Sequence, residues 1–209
     1  TVISQSDFYF IKDVVLKNNL YLLSDEVYEH IIFDGLKHYS VLEDDELFKR
    51  SFAVSSFGKT FHITGWKVGY CTAPEDLTSE FRKIHQYLTF STSAPFQIAL
   101  SQYITDIEKI RSLKNFYSVK RDYFRSLLTK NGLKPFFSEA TYFQLLDYSD
   151  ISDEYDIDFA VRLTKDFGVA SIPLSVFYKD KTDNKVLRFC FAKEIQTLEN
   201  AVSALAKII

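Results

Sequence analysis

Lys59 sits in the stretch Ser55-Ser56-Phe57-Gly58-Lys59-Thr60-Phe61-His62-Ile63-Thr64-Gly65-Trp66-Lys67-Val68-Gly69-Tyr70. A lysine set between Gly58 and flanking aromatics is poorly placed as a solvated surface charge. Its amine is the side-chain group that condenses with a carbonyl to form a Schiff base, once desolvation or a nearby cation lowers its pKa. Lys59 is therefore the candidate reactive group, against the alternative of a lysine that only solubilises a loop. Asp25 ends the apolar run Leu20-Tyr21-Leu22-Leu23-Ser24. It is either a cap or turn carboxylate, or an acid at the carboxyl end of a strand, where open parallel sheets collect ligands. Tyr28 follows three residues later and would share a face with Asp25 on a helical turn. Its alternative is a core tyrosine with a satisfied hydroxyl. Ser56 reads as turn chemistry and Lys67 as a strand-edge charge. Arg188 lies in Val186-Leu187-Arg188-Phe189-Cys190-Phe191. An arginine in such a run is costly unless paired, so it is a buried salt bridge, an edge-strand residue, or a bidentate fork for a carboxylate.

The elements that must position these residues follow from hydrophobic spacing. Ser4 to Asn19 carries an amphipathic helical pattern with Ser4 or Ser6 as cap. Leu20 to Ser24 reads as a strand buried on both faces, as in a parallel sheet under helices. Residues 26–33 are expected to form the turn leaving it, with a short helical start. Tyr39 to Phe48 reads as loop and short helix. Ser51–Ser56 reads as a strand, with Trp66–Thr72 as the next. Ala73-Pro74 stops that strand, and Glu75 to Leu88 returns to helical spacing. Thr89 to Ala94 is a loop of small hydroxylated residues with Phe90 exposed among them, and Pro95 opens a helix through Ile104. Ile107 to Lys130 is a long charged helix ending at Asn131-Gly132. Beyond it come a strand (141–148), a helix (158–167) stopped by Gly168, and a short strand (169–172). A strand (185–191) and a helix (197–208) complete the chain.

The chain has 209 residues, 46% of them apolar, enough for a sizeable core. The net charge of −3, with no basic cluster, argues against nucleic acid as a partner. No apolar run approaches the ~18 residues needed to span a bilayer. Cys71 and Cys190 sit in apolar, strand-like runs and read as buried thiols in a reducing compartment. The four histidines have no ligand spacing, so no metal site is assigned.

The Lys59 segment resembles the Schiff-base lysine segment of fold-type I, pyridoxal-phosphate-dependent aminotransferases, most of all the methionine and kynurenine aminotransferase branch. The likeness runs along the whole chain. It takes in Ser24-Asp25-Glu26-Val27-Tyr28-Glu29-His30-Ile31 and His85-Gln86-Tyr87-Leu88-Thr89-Phe90-Ser91, then Ile172-Pro173-Leu174-Ser175-Val176-Phe177 and Leu187-Arg188-Phe189-Cys190-Phe191. It begins about midway through such an enzyme. The chain also opens on Thr1-Val2-Ile3 and contains no methionine, so roughly the first half of an aminotransferase is expected to lie outside these residues. That half carries the family's glycine-rich phosphate loop, ring-stacking aromatic and ring-contacting asparagine.

The resemblance implies an α/β fold. Residues 1–112 would be the C-terminal part of the large, cofactor-binding domain, a mostly parallel sheet with helices. Residues 113–209 would be a small α+β domain. It implies pyridoxal 5′-phosphate as cofactor, with Lys59 as its anchor and as the general base and acid. A buried Asp25 would face the pyridine nitrogen, and Tyr28 would hydrogen-bond the phenolic oxygen. Ser56 and Lys67 would hold the phosphate; many relatives have arginine at the latter position, and a lysine acts more as a point charge. Arg188 would bind the substrate α-carboxylate. Tyr142-Phe143 and the segment 172–178 would shape an apolar side-chain pocket suited to aromatic or thioether substrates. The expected activity is amine transfer from such an amino acid to a 2-oxo acid, by a cytoplasmic homodimer in which the loop 89–93 reaches the partner's site. Two other activities fit the same scaffold: a carbon–sulfur β-lyase using the same lysine, and an aminotransferase-like effector domain of a transcription regulator.

Overall fold

The computed structural model describes residues 1–208. They fall into two compact units, Thr1–Leu113 and the residues from Lys114 on, the division lying inside one long helix.

The first unit opens with helix α1, Gln5–Lys17. Ser4 Oγ accepts the Asp7 N–H at 3.1 Å while Asp7 accepts the Ser4 N–H at 3.0 Å, a reciprocal cap that satisfies two end donors. The helix buries Phe8 and Val15 in a core with Val41, Leu47 and Ala53. Strand β1 is Leu22–Asp25, and helix α2, Asp45–Phe48, is capped by Asp44. Strand β2, Ser51–Ser56, runs directly into one helical turn, α3, Phe57–Thr60. Strand β3 is Gly69–Thr72, and helices α4 (Glu75–Leu88), α5 (Ala94–Tyr103) and α6 (Ile107–Lys130) follow.

The sheet order is β1-β2-β3, with β1 parallel to β2 and β3 antiparallel to it. Side chains alternate between the two faces. Leu22 and Ala53 join the α1 core, whereas Leu23, at 69% exposure, and Asp25 lie on an open face. Among the described residues β1 is paired with β2 alone and covered on one side, so the burial on both faces expected of it is not found within them. On the open face Phe52 meets Phe81 of α4, with ring centroids 6.5 Å apart.

The expected strand over 66–72 is two structures. Thr64–Trp66 forms a 3-10 turn and Lys67 has φ +57°, a left-handed conformation that interrupts extended backbone. Only from Gly69 does the chain pair with β2. A Cβ at Gly69 would stand 2.6 Å from the Ser55 carbonyl oxygen, so the pairing requires glycine there.

In the second unit the end of α6 is closed by Gly132 at φ +79°. Strand β4 is Lys134–Pro135, β5 is Phe143–Asp147, and helix α7 is Asp156–Phe167, stopped by left-handed Gly168. Strands β6 (Ile172–Pro173) and β7 (Val186–Cys190) and helix α8 (Ile195–Leu205) complete it. The antiparallel sheet runs β4-β5-β7-β6. Gln144, Leu146, Leu187 and Phe189 fill its buried face, and Phe124, Leu128, Phe159, Leu163, Leu198 and Val202 supply the helical side of the core. Phe143, Leu145, Arg188 and Cys190 alternate onto the half-open face.

The strands are shorter than the apolar runs suggested. Thr141 and Lys185 take left-handed φ values of +68° and +57°, which end the extended backbone just outside β5 and β7. The short strand expected over 169–172 forms instead at Ile172–Pro173. Both cysteines are free and half-buried rather than fully buried. Among the described residues no helix is long and apolar enough to cross a membrane, and no cluster of side chains is suited to a metal ion.

Candidate active site

In the first unit four of the candidate residues, Asp25, Tyr28, Ser56 and Lys59, lie at or just beyond the carboxyl ends of the two parallel strands. Asp25 is the last residue of β1 and Ser56 the last of β2. Asp25 is level with Val54, and Ser56 lies two residues further on the same face. Strand spacing sets their Cα atoms roughly 8 Å apart. Asp25 accepts the Val27 N–H at 3.2 Å, as a turn carboxylate does. Asp25 is exposed, so the buried aspartate expected from the resemblance is not found here: among the described residues nothing covers this end of β1.

Ser56 caps α3, its Oγ accepting the Gly58 N–H at 3.1 Å. Lys59 therefore sits in a single helical turn rather than a loop. The turn is locked on the far side, since a Cβ at Gly58 would stand 2.9 Å from Thr64 Cα. Aromatic contacts brace the segment further. Phe57 meets Tyr70 at 5.0 Å, Phe61 meets Tyr103 edge-on at 5.3 Å, and Trp66 stacks on Phe96 at 4.5 Å. Lys59 is half-buried, and its Nζ lies 5.9 Å from the centroid of the Tyr28 ring. The fold thus brings together two residues 31 positions apart in sequence. Lys67 is exposed, held in its left-handed conformation after the 3-10 turn. Such a conformation costs a non-glycine residue about 1 kcal/mol and is the kind of strain found at functional sites.

Two carboxylates around Tyr28 escaped the sequence reading. Glu26 is 5% exposed and accepts Ser24 Oγ at 2.9 Å, His38 Nε2 at 2.9 Å and the Val41 N–H at 3.1 Å. Burial alone would raise its pKa, but the hydrogen bonds from His38, Ser40, Val41 and Ser24 outweigh that and bring it down to about 2. Glu29 accepts Ser55 Oγ at 2.8 Å and Tyr70 Oη at 2.6 Å. Burial, then the bond to Glu29, pushes the Tyr70 phenol up to about 12. Apart from Ser24, two residues before Glu26, their partners lie 12 to 41 residues away in sequence, so spacing marks neither glutamate.

Arg188 belongs to the second unit. It faces Leu145 and Ile172 across the sheet, half-buried, with its guanidinium carbon 4.2 Å from the Phe143 ring centroid and 5.1 Å from that of Phe177. Its Nε is buried and has no hydrogen-bond partner among the described residues. The Phe177 contact is placed by Asp156, fully buried, which accepts the Ser175 N–H at 2.8 Å and Ser175 Oγ at 2.6 Å. Arg188 also lines a cleft of about 560 Å³ with Phe143, Ser171, Ile172 and Lys193, within the size range of small-molecule sites.

The first unit is thus an α/β layer with a lysine, a tyrosine, an acid and a serine at the carboxyl edge of its parallel strands. The second presents an arginine on the half-open face of an antiparallel sheet. The chain belongs to the class I and II aminotransferase family, whose family model matches residues 1–205. It is 46% identical to the methionine aminotransferase of Escherichia coli (strain K12), over 100% of this chain and 54% of that protein. It is 37% identical to the kynurenine–oxoglutarate transaminase of Dictyostelium discoideum, over 99% of this chain and 53% of that protein. Among solved structures it superimposes on the Escherichia coli protein identified by its crystal structure and reactivity as a methionine aminotransferase. There the TM-score is 0.93, covering 99% of this chain and 55% of that one. It also superimposes on N-succinyldiaminopimelate aminotransferase from Mycobacterium tuberculosis, with a TM-score of 0.94 at 32% identity, covering 100% and 55%. The chain spans about half the length of the curated relatives it matches.

Proposed function

We propose that the protein to which this chain belongs is a pyridoxal-phosphate-dependent aminotransferase, moving an amino group from an apolar, methionine-like or aromatic amino acid to a 2-oxo acid. The observation that carries the reading is the placement of Lys59 Nζ 5.9 Å from the Tyr28 ring, in the turn capped by Ser56, with Asp25 and Ser56 on one face of the sheet. Substrate class rests on the names of the relatives and on the aromatic rings around Arg188.

The donor set fits the cofactor. It offers an amine for the aldehyde, a carboxylate for the ring nitrogen, and a hydroxyl with a cation for the phosphate. The buried Nε of Arg188, without a partner among the described residues, leaves a guanidinium edge for a substrate carboxylate. When bound, pyridoxal phosphate supplies a carbonyl carbon that links to amines and a protonated ring that draws electrons from the substrate Cα. Asp25 would keep that ring nitrogen protonated, and the Tyr28 hydroxyl would donate to the ring's phenolic oxygen. Ser56 and Lys67 would hold the phosphate, and Arg188 would orient the substrate by its carboxylate. The Lys59 amine would take a proton from the substrate Cα and give one back.

On this reading the first unit is part of the large cofactor-binding domain and the second is the small domain. A homodimer belongs to the same proposal. Its support is the exposed run at the end of α4 and the loop after it, where Tyr87, Leu88 and Phe90 are each more than four-fifths exposed. A cytoplasmic location is also part of it, supported by the two free thiols.

The test is Lys59→Ala in the full-length protein. We expect loss of the visible absorbance of lysine-bound cofactor and a fall in amine transfer of about a hundredfold or more. Normal turnover with unchanged absorbance would refute the assignment.

A further inference from the structure

The carboxylate of Glu29 ties the element that carries Tyr28 to the one that carries Lys59. Tyr28 sits in a pair of consecutive tight turns, closed by Glu29 N–H to Glu26 O and Ile31 N–H to Tyr28 O, each 2.9 Å. Such turns have no ladder partners of their own to fix their orientation. The start of the pair is pinned by the Glu26 N–H, which donates to Val54 O at 2.8 Å, and by the hydrogen bonds to the Glu26 carboxylate. The far side is pinned by Glu29. One of its oxygens, Oε1, accepts both Ser55 Oγ at 2.8 Å and Tyr70 Oη at 2.6 Å. Ser55 and Tyr70 are direct partners across β2 and β3, and Ser55 immediately precedes Ser56, the cap of α3. The bridge therefore ends one residue from the turn that presents Lys59. It spans 26 and 41 residues of sequence, so it forms only once β2 and β3 have paired.

We propose that Glu29 is a positioning residue: its carboxylate, gripped by Ser55 and Tyr70, holds the Tyr28 turn against the β2–β3 pair so that the Tyr28 ring stays beside Lys59. This inference rests on the proposed function and adds to it a residue that does not itself touch the cofactor or substrate. A charged acceptor makes hydrogen bonds about twice as strong as a neutral one. A glutamine keeps one oxygen that can accept both donors. An alanine leaves the Ser55 and Tyr70 hydroxyls without this acceptor and removes the carboxylate link between the turn and the β2–β3 pair, leaving the buried Ile31, Ile32 and Phe33 to hold the turn on this side.

The experiment uses the full-length protein and compares wild type, Glu29→Gln, Glu29→Ala and Tyr70→Phe. The readout is the rate at which pyridoxal phosphate is captured on Lys59 under a mild hydride reductant at saturating cofactor, located by peptide mass. Cofactor affinity and near-ultraviolet circular dichroism are measured alongside. Glu29→Ala is expected to slow capture at Lys59 by about tenfold, with less than about a threefold change in cofactor affinity. Glu29→Gln should recover to within about threefold of wild type. Tyr70→Phe, which keeps the ring contact with Phe57, should fall between the two. Should Glu29→Ala fail to fold, Tyr70→Phe and Glu29→Gln decide the matter by their order. Capture at the wild-type rate in all folded variants overturns the role of Glu29 and leaves the function standing. Absence of capture on Lys59 in the wild type overturns the function and, with it, this role.

Discussion

Replacing Gly69 by alanine is the sharpest perturbation of the site's foundation. An alanine Cβ there would stand 2.6 Å from the Ser55 carbonyl oxygen and 3.7 Å from Ser56 Cα. The obstruction is backbone, so no side chain can rotate away from it. Either β3 separates from β2 at the Ser56–Gly69 pair, or the Ser55–Ser56 peptide moves and carries the cap of α3 with it. Overpacking of this kind costs about 1–3 kcal/mol, and losing the last rung of the ladder puts Gly69→Ala at the upper end, about 3 kcal/mol. Gly65→Ala is the control: no heavy atom lies within 4 Å of its added Cβ, so its effect should stay within about 0.5 kcal/mol. Trp66 is the sole tryptophan and stacks on Phe96 within the first unit, so its fluorescence reports on that unit. With a urea slope of about 2 kcal/mol per M, Gly69→Ala should lower the midpoint by about 1.5 M at unchanged slope. Equal midpoints for the two variants, or a larger loss in Gly65→Ala, would refute the close-approach argument.

Lys67→Gly should separate stability from function. Glycine adopts φ +57° without a Cβ penalty, so we expect a gain of about 0.5–1 kcal/mol in the same urea assay. Loss of the cation should weaken pyridoxal phosphate binding by about tenfold, read by equilibrium dialysis of the full-length protein. Glu26 sets an acid limit on the first unit. Its folded-state pKa, about 2, lies below the ordinary 4.5. The stability it contributes is therefore complete above pH 4.5 and is lost as the pH falls through about 2. Glu26→Gln should lower stability at pH 7 and flatten its fall between those values. An acid titration of Trp66 fluorescence with the same slope in both proteins would count against the hydrogen-bonded cluster.

Much of the architecture is written locally. The helix from Ile107 to Lys130, the strand Ser51–Ser56 and the helix Glu75–Leu88 have the limits their apolar spacing suggests. Their periods and stop signals, such as Asn131-Gly132, are short-range. The ordered motifs around Lys59 also pointed to the aminotransferase family, because a reactive segment is contiguous in sequence. Tertiary structure decided what contiguity does not encode. It broke the run 66–72 into a 3-10 turn and a strand, because the left-handed Lys67 interrupts extended backbone before Gly69 pairs with β2. It left one face of β1 uncovered among the described residues, because burial depends on which layers cover an element and not on its own residues. It brought the Tyr28 ring beside Lys59 and gathered Ser55 and Tyr70 on Glu29, because hydrogen bonds spanning tens of residues exist only once the strands have paired.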